Sequence, residues 1–174
     1  MGLTDANKCT AGGSPTAAFE KLVTLDGSSG LIEVDPVGRS EREHGNQNPY
    51  SQEKIYPVAA FERVLFKGYF GLMLAVRRQR VVVHIQATAD TFFQYDGDPA
   101  CYMGSLNHVV LVVGYFINQD DGSQKRIAPP FWVIRNSWGV GWGDRGHMRM
   151  DIQGGDGICV INVLPGIYPV VKSE

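Results

Sequence analysis

The stretch Gly104–Gly146 reads GSLNHVVLVVGYF, then INQDDGSQKRIAPP, then FWVIRNSWGVGWGDRG. His108 opens the first apolar run, and Asn136 closes the second. Asp121-Gly122 in the polar connection favours a tight turn between antiparallel strands. Two strands that run in opposite directions would bring His108 and Asn136 together. An imidazole held by a carboxamide is the base and the orienting residue of a nucleophile–base–orienter arrangement. A purely structural histidine is the alternative.

The motifs LNHVVLVVGYF and FWVIRNSWGVGWGDRGHMRM resemble the C-terminal half of papain-like cysteine peptidases, the group that contains papain and the cathepsins. The resemblance implies that His108 is the catalytic base, that Asn136 orients it, and that Trp138 covers their contact from water. It implies an endopeptidase that acts on a peptide or protein through an acyl-thioester intermediate. It also implies an α+β papain-like fold, with an incomplete helical left lobe and a mostly antiparallel, barrel-like right lobe.

The resemblance places the partial helical lobe, with an irregular connection, at residues 1–79, and the barrel-like lobe at residues 80–174. The residues themselves predict a helix that starts at Ser14-Pro15, an N-cap followed by the first helical position. They predict an irregular connection over 26–60, a helix at the centre of 62–80 and a buried strand at VVVHIQA. Because the helical lobe is incomplete, Phe19 and Leu22 are expected to be exposed or covered by a partner. The second helix is expected to pack in the core through Phe70, Leu72, Met73 and Val76.

By the same resemblance, two groups of residues would contact the substrate. Gly12 and Gly13, followed by Ser14 and Pro15, would bind the substrate backbone, and Trp142 would line the cleft beyond the scissile bond. The pocket for the side chain two residues before the scissile bond would be lined by His84, Leu106, Asn107, Val109 and Leu164. At position 84 a hydrogen-bonded structural histidine is the alternative.

The chain has three cysteines, so they cannot all pair within it. Family members pair the cysteines at the places of Cys101 and Cys159, so the resemblance implies a Cys101–Cys159 disulfide and an oxidising compartment. The loop that this bridge would close is long, and the chain-entropy model gives it a stabilisation of about 4–5 kcal/mol. The family pairs the cysteine at the place of Cys9 with a segment expected before Met1.

The nucleophile of the family lies in a C-G-[SA]-C-[WY] segment, with the histidine and asparagine roughly 130–150 residues downstream. Measured back from His108 and Asn136, that segment is expected about 15–40 residues before Met1. None of the three cysteines present stands before an aromatic residue at a helix start. Two interpretations follow. In the first, a cysteine peptidase receives its nucleophile from another segment or chain. In the second, the chain is an inactive papain-fold subunit with a binding or structural role in a larger assembly.

Composition excludes several other classes of protein. The formal net charge is −2 with charges of both signs, which gives no basic surface for nucleic acid. No apolar stretch reaches membrane-spanning length, and the N-terminal residues lack the apolar core of a signal peptide. The sequence predicts no metal site and no cofactor. The resemblance implies a lysosomal, vacuolar or secreted protein.

Overall fold

The computed structural model describes residues 12–24, 30–32, 55–87, 92, 104–117 and 129–171. Two α-helices and seven strands occur in these ranges, in the following order: α1 Pro15–Thr24, β1 Gly30–Ile32, β2 Ile55–Arg63, α2 Tyr69–Val76, β3 Val81–Ile85, β4 His108–Phe116, β5 Phe131–Arg135, β6 His147–Asp151 and β7 Ile167–Val171. A short 3₁₀ helix, Ile158–Val160, precedes β7. The chain divides into two compact units, Met1–Glu62 with Pro169–Glu174, and Arg63–Tyr168. The division into lobes at residues 79 and 80 stays a prediction.

In the first unit, α1 begins where the sequence predicts a helix start. The backbone N–H of Ala18 donates to the Ser14 carbonyl at 3.1 Å, and the N–H of Ala17 donates to the Ser14 hydroxyl at 3.4 Å. Phe19 and Leu22 are buried, and the Phe19 ring stacks on Phe61 with centroids 5.9 Å apart. The expectation that Phe19 and Leu22 are exposed is therefore wrong, because residues of this chain bury both.

A long strand, β2, lies at the end of the predicted irregular connection. Three of its residues, Ile55 to Pro57, pair antiparallel with β1, and residues 169–171 of β7 belong to the same unit. The composition of residues 26–60, rich in Gly, Pro, Ser, Asn and charged residues, favours irregular structure, so the sequence did not predict this strand. The prediction of irregular structure over 26–60 is wrong for β1 and for residues 55–60 of β2.

The second unit contains the mostly antiparallel sheet that the sequence predicts, with strand order β7-β3-β4-β5-β6. On β3, residues 81, 83 and 85 are buried while residues 82 and 84 are half-buried, which is the alternation of a strand with one face in the core. The apolar core combines this face with neighbouring strands, α2 and the 3₁₀ helix. Its most buried side chains are Trp132, Phe92, Ile85, Ile134, Met150, Ile158, Val81, Val83, Val112 and Cys159.

The predicted helix at the centre of 62–80 is confirmed as α2, but its apolar face differs from the prediction. Leu72 and Val76 are buried and Met73 is half-buried, as expected of a helix that packs on the core. Phe70, however, is 61% exposed. The prediction was wrong for this residue because α2 is apolar around its whole circumference, so spacing alone does not identify its buried face. None of the described helices is long and apolar enough to cross a membrane.

Candidate active site

His108 and Asn136 are brought together by the pairing of β3, β4 and β5. His108 is the first residue of β4 and lies opposite Ile85 of β3. Asn136 directly follows β5, whose last residue, Arg135, lies opposite Leu111 of β4. The two strands run antiparallel, so the start of β4 meets the end of β5. The His108 Nε2 atom lies 2.9 Å from the Asn136 Oδ1 atom, as the sequence predicts.

The hydrogen bonds of Asn136 determine which imidazole nitrogen carries the proton. The backbone N–H of Ser137 donates to Asn136 Oδ1 at 2.7 Å. A backbone N–H can only donate, so the atom it faces is the carboxamide oxygen rather than the nitrogen. The same oxygen faces His108 Nε2, which must therefore carry a hydrogen and donate it. In the neutral ring, Nδ1 is then the nitrogen with a free lone pair.

The contact between the two side chains is shielded by aromatic rings. Trp138 stacks on the His108 ring with centroids 5.0 Å apart and an interplanar angle of 29°. Asn136 is only 7% exposed, and His108 is half-buried. A hydrogen bond in such surroundings is stronger than one in water. Trp138 stacks on the imidazole, and its role in covering the contact from water stays a prediction.

Phe92 is a member of this cluster that sequence analysis missed. It is fully buried, lies edge-on to Trp138 at 5.5 Å and to His108 at 6.3 Å, and stacks on Trp142 at 5.8 Å. The neighbouring residue in the sequence is also phenylalanine. Spacing and composition therefore do not single out Phe92 in the sequence.

The turn after Asn136 is shaped by glycine. Gly143 has a φ of 57°, and a Cβ at this position would collide with the backbone carbonyl oxygen of His147. The N–H of Gly146 donates to the Trp142 carbonyl at 2.7 Å, and the N–H of Asn136 donates to the Gly146 carbonyl at 2.9 Å. These bonds tie the far end of the turn to the backbone of Asn136.

The residues predicted to contact substrate fall in both units. Gly12, Gly13 and Ser14 are exposed in the first unit, next to the half-buried Pro15. Gly12 has a φ of 70°, and no atom lies within 4 Å of a Cβ built there. Trp142, half-buried, packs with Trp138 and Phe92 in the second unit. Leu164, 43% exposed, lies in the loop before β7.

Four of the predicted pocket residues lie around the start of β4. His84 of β3 is directly opposite Val109. The side-chain oxygen of Asn107 accepts the N–H of Ala87 at 2.8 Å, and the N–H of Asn107 donates to the Ile85 carbonyl at 3.1 Å. These two bonds hold the segment that contains Leu106 and Asn107 against the end of β3. The sheet thus places His84 and Val109 next to this segment.

One ring nitrogen of His84 lacks a hydrogen-bond partner in the part of the chain that the structure describes. This atom, Nδ1, is buried. Burial lowers the pKa of His84 below its ordinary value of 6.5, because the charged imidazolium is poorly solvated there.

We expect stability to fall as the pH is lowered through the range in which His84 titrates. The folded state binds a proton at this ring less readily than the unfolded state does. The contribution of His84 to the free energy of unfolding is therefore constant above pH 6.5 and decreases below it. Urea unfolding of the wild type and of His84→Gln, compared between about pH 5 and about pH 7.5, measures the difference. His84→Leu is the matched second variant, since neither replacement titrates. Parallel pH profiles for all three proteins would contradict the assignment.

Cys159 is fully buried and disulfide-bonded. Cys101 lies outside the described residues, as do Cys9 and the Asp121-Gly122 turn. The Cys101–Cys159 pairing therefore stays a prediction.

Residues 3–165 match the family model for papain family cysteine proteases. The Probable cysteine protease RDL6 of Arabidopsis thaliana is 27% identical over 173 residues, covering 96% of this chain and 45% of that protein. Cathepsin S of Mus musculus is 32% identical over 149 residues, covering 83% of this chain and 40% of that protein. The solved structure of the bromelain protease from Ananas comosus in complex with the E64 inhibitor has a TM-score of 0.69 at 25% identity, covering 97% of this chain and 74% of that one. This chain spans less than half the length of either curated relative.

Proposed function

The chain belongs to the papain family of cysteine proteases, and from this premise we propose that it carries the base and the orienting residue of a papain-like endopeptidase. His108 is the base, and Asn136 holds it in position. The observation that carries the proposal is the bond between His108 Nε2 and Asn136 Oδ1, 2.9 Å long. This bond engages one nitrogen of the imidazole and leaves the other, Nδ1, as the proton acceptor.

The proton positions define the steps available to this pair. In the neutral ring, Nδ1 accepts a proton from a cysteine thiol, which generates the attacking thiolate. The resulting imidazolium then donates that proton to the leaving amine, so the acyl group remains on sulfur. Water hydrolyses the thioester and regenerates the thiol. Throughout the cycle Nε2–H remains donated to Asn136, which keeps the ring from rotating.

The aromatic residues keep water away from the orienting bond. Trp138 lies against the imidazole at 5.0 Å, and Phe92 fixes Trp138 from the side. Water competing for Asn136 Oδ1 would weaken its hold on the ring, and the stacked rings reduce that competition. Trp138 is thus proposed as a catalytic support, and Phe92 as a positioning residue behind it.

The attacking thiol is proposed to come from a polypeptide segment other than residues 1–174. Cys159 is buried and disulfide-bonded, so it has no free thiol. None of the three cysteines has the sequence context of the family's nucleophile. The required thiolate needs a pKa lowered by a helix N-terminus and by the neighbouring imidazolium. His108 would supply the imidazolium.

The substrate is proposed to be a peptide or protein. Gly12 and Gly13 would hold its backbone, and Trp142 would contact the residues beyond the scissile bond. The pocket for the side chain two residues before that bond would be lined by His84, Leu106, Asn107, Val109 and Leu164. A polar ring at position 84 favours a polar over a purely aliphatic side chain in this pocket. The buried disulfide cysteine supports an oxidising compartment, either a lysosome or vacuole or the outside of the cell.

Labelling with a thiol-reactive peptide epoxide tests the proposal. The protein is isolated from its natural source, so that any polypeptide joined to or associated with residues 1–174 is retained. We expect mass spectrometry to find the label on a cysteine other than Cys9, Cys101 and Cys159. We expect residues 1–174 produced alone to remain unlabelled, because a thiolate next to His108 would be lacking.

Two outcomes would overturn the proposal. Labelling of Cys9 in the isolated chain, abolished by His108→Ala, would show that the nucleophile belongs to residues 1–174. No labelling of the native protein, together with no peptide hydrolysis, would favour an inactive papain-fold subunit with a binding or structural role.

A further inference from the structure

The helix α2 and the residues before it present a group of exposed apolar side chains. The exposed fraction is 89% for Leu65, 63% for Phe66 and 61% for Phe70. Tyr69 and Leu74 are 42% and 39% exposed. Such large apolar side chains, adjacent in one segment, are characteristic of a surface that contacts another molecule. We call these five residues the α2 apolar surface.

The exposed side chains of α2 are not the ones that hold the helix in the fold. Leu72, Ala75 and Val76 are buried and belong to the core cluster. They lie on one side of the helix, three and four residues apart. Phe70 and Leu74 lie four residues apart on the other side, and Phe66 lies in the segment before the helix. The helix therefore has a second apolar side that the fold of this unit leaves exposed.

Basic residues flank the α2 apolar surface in the sequence. From residue 63 to residue 80 the sequence contains no aspartate or glutamate, although the whole chain has a formal net charge of −2. Five basic side chains occur in the same segment, and all of them are exposed: Arg63, Lys67, Arg77, Arg78 and Arg80. The apolar surface is thus flanked by cations on both sides in the sequence.

We propose that the α2 apolar surface docks on an anionic lipid membrane. Phe66, Phe70 and Leu65 enter the boundary between headgroups and acyl chains, and the flanking lysine and arginine side chains contact the lipid phosphates. Aromatic and leucine side chains bordered by lysine and arginine are the composition of interfacial membrane-binding segments. Eight helical residues extend about 12 Å, far less than the ~30 Å hydrocarbon core. The helix therefore lies on the membrane.

Charge favours an anionic lipid membrane over a second copy of the chain as the binding partner of this surface. Two copies that met through this surface would bring two sets of five cations together, and like charges at a close interface are unfavourable. An anionic lipid surface supplies the opposite charge over an extended area. A fluid lipid boundary also accepts protruding side chains such as Leu65 without a preformed pocket. The proposal does not depend on peptide hydrolysis, because none of the five apolar residues belongs to the candidate active site.

Sedimentation of the 174-residue chain with lipid vesicles tests the proposal. One set of vesicles consists of phosphatidylcholine, and the other has about a third of it replaced by phosphatidylserine. We expect substantial binding only to the second set, decreasing as salt is added. Each basic residue near the surface contributes about a fivefold increase in partitioning. Arg77→Gln with Arg78→Gln should therefore weaken binding by about 25-fold.

Variants of exposed residues separate the apolar contribution from the charge. Phe66→Ser with Phe70→Ser should abolish most of the binding without unfolding the chain, because both side chains are largely exposed. Val140→Ser, at an apolar residue 68% exposed elsewhere in the unit, is the control for the apolar change, and Arg135→Gln is the control for the charge change. Equal binding to both vesicle types, or equal losses for control and test variants, would overturn the proposal. Dimerisation or capture of an acidic protein that depends on Phe70, without vesicle binding, would overturn it as well.

Discussion

Replacing His108 by glutamine will lower peptide hydrolysis by about 10²–10⁴-fold, the contribution typical of a positioned general acid–base. Glutamine keeps a polar side chain that can still donate to Asn136 Oδ1, so the hydrogen bond that the structure shows at 2.9 Å can be partly retained. It cannot accept and then return a proton near neutral pH. We expect the loss to appear in kcat, with a smaller change in KM, when the native protein is assayed on a peptide substrate.

Two comparisons make this expectation specific. His147→Gln is the same substitution at another histidine, whose ring nitrogen Nδ1 contacts the Arg145 carbonyl at 3.0 Å. It should leave the rate unchanged. Asn136→Ala should reduce the rate less than His108→Gln, because it removes orientation but leaves the base in place. A His108→Gln enzyme with wild-type kcat, or equal losses at positions 108 and 147, would refute the role of His108.

Replacing Phe92 by alanine will lower the free energy of unfolding by about 3–5 kcal/mol, the usual cost of truncating a buried aromatic residue. Phe92 is fully buried and contacts both Trp138 and Trp142. Its removal leaves a cavity among rings that cannot collapse without moving the stack on His108. Urea unfolding of the 174-residue chain measures the loss.

Phe116→Ala is the matched control for Phe92→Ala. The Phe116 ring is 44% exposed and stacks on Phe131 at 5.3 Å. Its truncation should lower the free energy of unfolding much less, since the side chain is already partly exposed to water. In the native enzyme, Phe92→Leu should retain most of the stability but lower kcat by loosening Trp138. Similar stability losses at positions 92 and 116 would show that the aromatic cluster does not depend on Phe92.

The sequence predicts the centre of the site better than its surroundings. His108 and Asn136 could be placed together because each stands at the end of an apolar run, and antiparallel pairing joins those two ends. Ser14-Pro15 predicted the start of α1 for a similarly local reason, the capping of free N–H groups. Both predictions depend on a few adjacent residues and one known geometry.

Features that depend on long-range packing could not be predicted in this way. Phe92 is buried through contacts with residues distant in the sequence, Trp138 and Trp142, which no local pattern reveals. Phe70 has the spacing of a core residue on α2, yet it lies on the exposed side, because Leu72 and Val76 occupy the core instead. Phe19 is buried by a ring from β2, a strand that the sequence did not predict.

The turn between Asn136 and Gly146 is anchored at its base, and its tip is exposed to solvent. The carbonyl of Gly146 receives the N–H of Asn136 at 2.9 Å, while Val140 between them is 68% exposed. Changes at the tip therefore need not be transmitted to the carboxamide at the base. A substitution at Val140 therefore offers a position for a fluorescent reporter on the turn that follows Asn136.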